Sequence, residues 1–170
     1  MTRHADVAVI ATGGTIDKVY ELTGDLEVGE PAAVRILSTV VPGVAIRVTG
    51  ALALDSRDIT DADRDVLVRA IDEAQTDAVV VTHGTDTMAD TASYLHSRVP
   101  AGSTVVLTGA LRPETVHGSD AQVNLGFALA AAQLASPGVY VAMGARLFAA
   151  GTVRKETATG AFVATGEERS

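Results

Sequence analysis

Five short apolar runs punctuate the chain, at residues 7–11, 44–48, 78–82, 104–108 and 139–143, each about as long as a buried strand. Polar segments with helical spacing separate the last four. The first opens at Thr60, where Asp61 and Asp63 favour a helix N-terminus and Val66, Leu67, Ala70, Ile71 and Ala74 fall on one face. A second helix is predicted over 86–98. A third spans 120–134, with Val123, Phe127, Ala131 and Leu134 recurring as its apolar stripe. Strands alternating with helices in this way predict an α/β fold around a parallel sheet.

Two threonine-glycine turns stand out against this pattern. Thr12-Gly13-Gly14-Thr15 follows the first apolar run, and His83-Gly84-Thr85-Asp86-Thr87 follows the third. Each therefore occupies the carboxyl end of a strand, the edge at which open parallel sheets bind ligands. Glycine admits a ligand close to the backbone, while threonine hydroxyls donate, accept or attack. One shared pocket is the expectation. One of Thr85, Asp86 and Thr87 is also expected to cap the helix that follows. Residues 17–31 are polar, carry Gly24 and Gly29 and lack any period, which predicts a mobile loop able to close over that pocket. The segment after Gly160, ending Gly166-Glu167-Glu168-Arg169-Ser170, predicts a frayed terminus.

Composition narrows the chemistry. At 170 residues the chain fits one domain, and with 4% aromatic residues and no tryptophan its core must be built from Ala, Val, Leu and Ile. A formal charge of -8 without a Lys/Arg cluster argues against nucleic acid as a partner. The absence of cysteine removes disulfides and thiolate metal sites. The most apolar stretch, 125–135, is broken by Ser136-Pro137-Gly138, short of the roughly 20 residues that span a bilayer. With no secretory pattern at the amino terminus, a cytoplasmic protein without membrane partners is expected.

Rival motifs find little support. There is no G-x-x-x-x-G-K-[ST] or G-x-G-x-x-G to make the first turn a phosphate cradle, and no G-x-S-x-G elbow. The acidic run Asp55, Asp58, Asp61, Asp63, Asp65 lacks the glycine and terminal glutamate of a calcium loop and reads as a solvated helix start. His4, His83, His96 and His117 have no ligand spacing, so no metal is expected. Lys155, just after the Leu147-Phe148 pair, would ordinarily be a surface group. Beside a threonine in a dry pocket it could serve as a general base.

Together these residues resemble the bacterial-type L-asparaginase family. The first signature appears as Ala11-Thr12-Gly13-Gly14-Thr15-Ile16 and the second as Val81-Thr82-His83-Gly84-Thr85-Asp86-Thr87-Met88. Similarity continues through Asp55-Ser56, Thr108-Gly109-Ala110-Leu111-Arg112-Pro113, Asp120, Asn124-Leu125 and residues 153–155. The resemblance implies a flavodoxin-like three-layer domain, a parallel sheet with helices on both faces. It implies cofactor-free hydrolysis of the side-chain amide of asparagine, or of a related small amide, through an acyl-threonine. In that scheme Thr15 is the nucleophile, and Thr85, Asp86 and Lys155 form a second triad. Tyr20 activates Thr15, although an alternative pairing puts Leu26 at the tyrosine's place. Gly14, Asp55, Ser56, Gly84, Thr85, Asp86 and Ala110 surround the substrate, Ser56 holding its α-carboxylate and Asp86 its α-ammonium.

The chain departs from the pattern at Asp17, where a small residue is usual, and at Arg57, where a glutamine often contacts substrate. It also stops where the family's carboxyl-terminal domain would begin, so residues 1–170 are expected to form a single amino-terminal-type domain, self-associating as a dimer or tetramer. The alternative reading is a non-catalytic amino-acid-binding module that keeps the pocket. Retention of Lys155 favours the enzyme.

Overall fold

The structure, a computed structural model, describes residues 7–166. Its centre is a six-stranded sheet of β1 (Val7–Gly13), β4 (Ile46–Leu54), β5 (Ala78–Thr82), β6 (Thr104–Thr108), β7 (Gly138–Met143) and β8 (Arg146–Ala149), in the order β4-β1-β5-β6-β7-β8. All pairs are parallel except β7 with β8. Among the five parallel strands the order is 2-1-3-4-5, the flavodoxin-like arrangement, whose direction of winding reverses between β1 and β5. The two glycine-threonine turns leave the sheet at that reversal.

Strand alternation builds two cores. Ala8, Ile10, Val79, Val81, Val105, Leu107, Val139 and Val141 face Leu67 and Ile71 of α2 (Asp61–Glu73) and Met88, Ala92 and Leu95 of α3 (Met88–Leu95). Their neighbours Val7, Val9, Val80, Val106 and Ala142 face α1 (Ala32–Leu37) and α4 (Ala121–Leu134). Helices thus cover both faces, as the doubly buried, nearly continuous apolar strands require. Thr60 and Asp63 close a reciprocal capping box at the start of α2, worth about 1 kcal/mol.

Several expectations need correction. The strand expected at 44–48 starts at Ile46 and runs on to Leu54; at the sheet edge its residues are only half-buried or exposed, so it tolerates Thr49 and Gly50 in its middle. The helix expected over 86–98 is shorter, Met88–Leu95. On α4 the buried face is Ala121, Asn124, Leu125, Ala128, Ala131 and Ala132, while Val123 and Leu134 are exposed. That helix is apolar nearly all round, so spacing alone could not choose its face.

Residues 17–31 are not an unstructured loop. A 3-10 turn at Thr15–Asp17 leads into an antiparallel hairpin of β2 (Lys18–Tyr20) and β3 (Leu26–Val28). Nor does the chain fray at Gly160. β10 (Phe162–Ala164) pairs antiparallel with β9 (Val153–Lys155), and Phe162 and Val163 are buried in or near the first core. Of the run 166–170, only Gly166 lies within the described residues. No described helix is long and apolar enough to cross a membrane.

Candidate active site

The site begins with backbone. β1 and β5 pair in register up to Ala11 opposite Thr82, so their turns emerge side by side. At Gly13 the ladder to β4 shifts register, and φ of +96° with the Leu54 main chain 2.5–2.6 Å from any Cβ leaves room for glycine alone. Gly14 follows at φ +77°, and a Cβ there would strike the Cα and N of Gly84. The two signature turns therefore touch main chain to main chain. A Cβ on Gly84 would in turn stand 2.5 Å from the Cβ of Ser56, and one on Gly109 would strike the carbonyl of His83. Four strand ends, those of β1, β4, β5 and β6, meet at one place.

Side chains then fill in around this contact. Thr15, half-buried, opens the 3-10 turn directly after Gly14. Thr85 is buried, and its Oγ1 accepts a 2.8 Å hydrogen bond from Lys155 Nζ, which also donates to Asp86 Oδ1 at 2.6 Å. These partners lie about 70 residues apart in sequence, and β9 delivers the lysine. Ser56 is buried against Gly84, and its carbonyl accepts from Thr87 Oγ1 at 2.7 Å. Thr87 stands at the N-cap of α3 yet makes no side-chain cap, so the expected capping role gives way to this tie between loops. Ala110 is fully buried, one residue past the contact with His83.

The mouth of the site carries alternating charges. Lys18 Nζ meets Asp55 Oδ2 at 2.9 Å, Arg57 Nε meets Asp55 Oδ1 at 3.3 Å and Asp86 Oδ2 at 3.7 Å, and Lys155 completes the row. The hydrogen bond from Lys18, reinforced by the Arg57 donors, holds the Asp55 carboxyl well below the usual range, so Asp55 stays ionised. It is a paired anion rather than part of a solvated acidic run. Nothing in local spacing announces Lys18 as its partner 37 positions away.

Beneath the mouth, Asp17 is buried, its Oδ1 accepting the Ala32 N–H at 2.7 Å. Desolvation pushes its pKa up to about 6, against the opposing pull of that bond, of Arg35 and of the Gly13 N–H. The turn that bears Thr15 is tied further: Ile16 and Lys18 carbonyls accept from Glu114 N and Thr115 Oγ1, and Gly29 N donates to the Asp17 carbonyl. His83 is fully buried with Nδ1 against the Gly84 carbonyl, and desolvation lowers its pKa to about 4, so the ring is neutral.

Asn124 anchors the β6 end: its Nδ2 donates to Gly109 O and Asp120 Oδ2, and its Oδ1 accepts from Gly144 N. Tyr20, by contrast, is 68% exposed on the hairpin, directly across from Leu26 on the same face. The two candidates for the loop position are cross-strand neighbours. Among the described residues no group of three or more His, Asp or Glu is placed to hold a metal ion.

Comparison with known proteins identifies the family and the fold. The chain is 35% identical over 163 residues to the glutaminase-asparaginase of Acinetobacter glutaminasificans, covering 88% of this chain and 49% of that protein. It is 38% identical over 155 residues to a probable L-asparaginase of Deinococcus radiodurans, covering 88% and 47%. The solved thermostable L-asparaginase from Thermococcus kodakarensis superposes with a TM-score of 0.85 at 34% identity, over 96% of this chain and 52% of that one. The chain thus spans about half the length of the relatives it matches. With the family described as "Asparaginase, N-terminal" matching residues 6–167, the chain belongs to the asparaginase family through that amino-terminal domain.

Proposed function

We propose that this domain supplies the catalytic centre of an amidohydrolase that converts L-asparagine, or a related small amide, to the acid and ammonia through an acyl-threonine. The observation that carries the reading is the Lys155–Thr85–Asp86 constellation held on a turn in main-chain contact with the turn bearing Thr15. Two hydroxyls, a lysine and a carboxylate at one sheet edge match the needs of amide cleavage: a nucleophile, a proton acceptor and groups that orient the substrate.

In the first half-reaction Thr15 Oγ1 attacks the amide carbon, its proton passes by way of the tetrahedral intermediate to the leaving nitrogen, and ammonia departs. In the second, water attacks the ester and frees Thr15. Lys155, once deprotonated, can take a proton from Thr85 across the 2.8 Å contact, which suits Thr85 to activating water. Ser56, buried against Gly84, is placed for the substrate carboxylate. Tyr20 is proposed to reach Thr15 when the β2–β3 hairpin folds inward. A homo-oligomeric, cytoplasmic protein completes the proposal, to be checked by sedimentation and cell fractionation.

An ammonia-release assay over asparagine, glutamine and simple amides tests the core of it. Turnover is expected to be faster with asparagine than with glutamine, and to vanish in Thr15→Ala. Mass spectrometry of quenched reactions should find the acyl group on Thr15. An adduct on Thr85 would reverse the assignment, and asparagine binding without ammonia above the Thr15→Ala, Thr85→Ala control would favour a binding module.

A further inference from the structure

Thr15 opens a 3-10 turn, Thr15–Asp17, that is seated at its start and tied to α1 at its end by one side chain. Upstream, a Cβ on Gly14 would strike the Gly84 main chain, so this side of the turn has no slack. Downstream, the buried Asp17 carboxyl accepts the Ala32 N–H of α1 at 2.7 Å, and Gly13 offers its N–H from the end of β1. Main-chain bonds from Asp17 N to Gly14 O at 3.2 Å and from Gly29 N to Asp17 O at 2.9 Å hold the residue itself. One carboxyl thus joins the turn of the nucleophile, the end of β1 and α1.

The groups facing this carboxyl favour one of its two forms. The Ala32 and Gly13 N–H groups are donors, and the Arg35 guanidinium acts on it from α1, its Nη2 a buried donor without a hydrogen-bond partner among the described residues. A carboxylate can accept from donors of this kind on both oxygens. A carboxylic acid turns one oxygen into a donor that none of these groups can accept. Of the other charges nearby, Glu114 is engaged by Arg35 Nε at 2.7 Å and Lys18 by Asp55 at 2.9 Å. Glu30 and Asp17 line one open hollow of about 380 Å3 between the end of β3 and β4, which gives a proton its path to solvent.

We infer that Asp17 is a positioning residue for Thr15: its ionised carboxylate braces the turn of the nucleophile against α1, and a proton on that carboxylate releases the brace. The inference rests on the amidase reading above. Thr15 carries the chemistry, and Asp17 fixes the angle from which it attacks. Ser56, Gly84 and Asp86 lie on other segments, so the brace acts on turnover rather than on substrate binding. Burial opposes the anion, so the proton returns near pH 6.

Asp17→Asn keeps the shape of the protonated acid and fixes it neutral. Between about pH 5 and pH 8, kcat of the unmodified protein for L-asparagine should rise about tenfold, the scale of a small misalignment of reacting groups. Its midpoint should lie near pH 6. Asp17→Asn should be flat at the acid-side level, with KM within about twofold of the parent. A side chain that only holds the fold together would lower kcat alike at every pH and leave that limb in place. The limb persisting in Asp17→Asn, its absence from the parent, or parent activity that rises as pH falls overturns the inference. If the parent releases no ammonia at any pH, the amidase reading fails by itself. NMR of the parent alone then decides the brace, and does so equally if the variant does not fold. The Asp17 carboxyl carbon, the Ala32 N–H and the Thr15 N–H sharing one midpoint upholds it, and a Thr15 N–H that ignores the other two rejects it.

Discussion

Replacing Asp17 with asparagine should shift stability relative to the parent in the variant's favour as pH rises from acid to alkaline. Asp17 is 1% exposed and its folded pKa is about 6, against 3.8 for the free side chain. The folded state therefore binds this proton more tightly than the unfolded chain. Its stabilising contribution is full below pH 3.8 and is lost as pH rises through 6. Above that, the buried carboxylate costs about 3 kcal/mol relative to a neutral group, because each pH unit between the unfolded and folded pKa values is worth about 1.4 kcal/mol. About 1.4 kcal/mol of this accrues between roughly pH 5 and pH 8 by the same linkage relation. The asparagine keeps an oxygen for the 2.7 Å bond from Ala32 N, so α1 retains its anchor. Its new amide donor brings a cost of about 1–3 kcal/mol if unpaired, independent of pH. The difference between variant and parent in urea unfolding free energy, measured at both pH values, cancels that constant. It also cancels His83, whose depressed pKa of about 4 acts in the opposite direction, its contribution being lost as pH falls from 6.5. A difference that is equal at the two pH values would refute the assignment of Asp17 as a strained, desolvated acid.

Gly84→Ala should destabilise by about 1–3 kcal/mol and abolish turnover, because its Cβ would stand 2.5 Å from that of Ser56. Gly24→Ala is the matched control in open space at φ +88°, expected to cost about 1 kcal/mol in thermal unfolding with activity retained. Asn124→Ala should cost about 2 kcal/mol by denaturant titration, since Gly109 O and Gly144 N each lose a partner. Tyr20→Phe should leave stability unchanged while lowering kcat roughly a hundredfold, and an unaltered kcat would remove the phenol from the mechanism.

The parts of the fold visible in the sequence are those whose signal is local. Residues 78–82, 104–108 and 139–143 are buried on both sides and read as unbroken apolar runs, and the structure returns them as β5, β6 and most of β7. Thr60 with Asp63 likewise carries its helix start within four residues. Hidden parts owe their form to partners elsewhere. The three-residue strands β2, β3, β9 and β10 are too short for any period, and their pairing decides them. At the site, the threonines and glycines were legible because turn chemistry is written in consecutive residues. The pairing of Lys18 with Asp55, and of Arg57 with Asp86, was not, since it depends on which strand ends lie together.

The contact between Gly14 and Gly84 also sets how the site can vary. Because main chain rests on main chain there, the spacing of the two threonine turns is fixed by atoms that every residue shares, and no side chain serves as an adjustable spacer. Substitution at either position can only wedge the halves apart by at least a methyl group, far more than catalytic alignment tolerates. Finer tuning is left to the periphery, to Arg57 and to Tyr20 and Leu26 of the hairpin, whose exposed side chains can change size and charge without moving that contact. The molecule thereby separates a fixed reaction centre from a variable rim, and diversification of substrate within such a domain has only the rim on which to act.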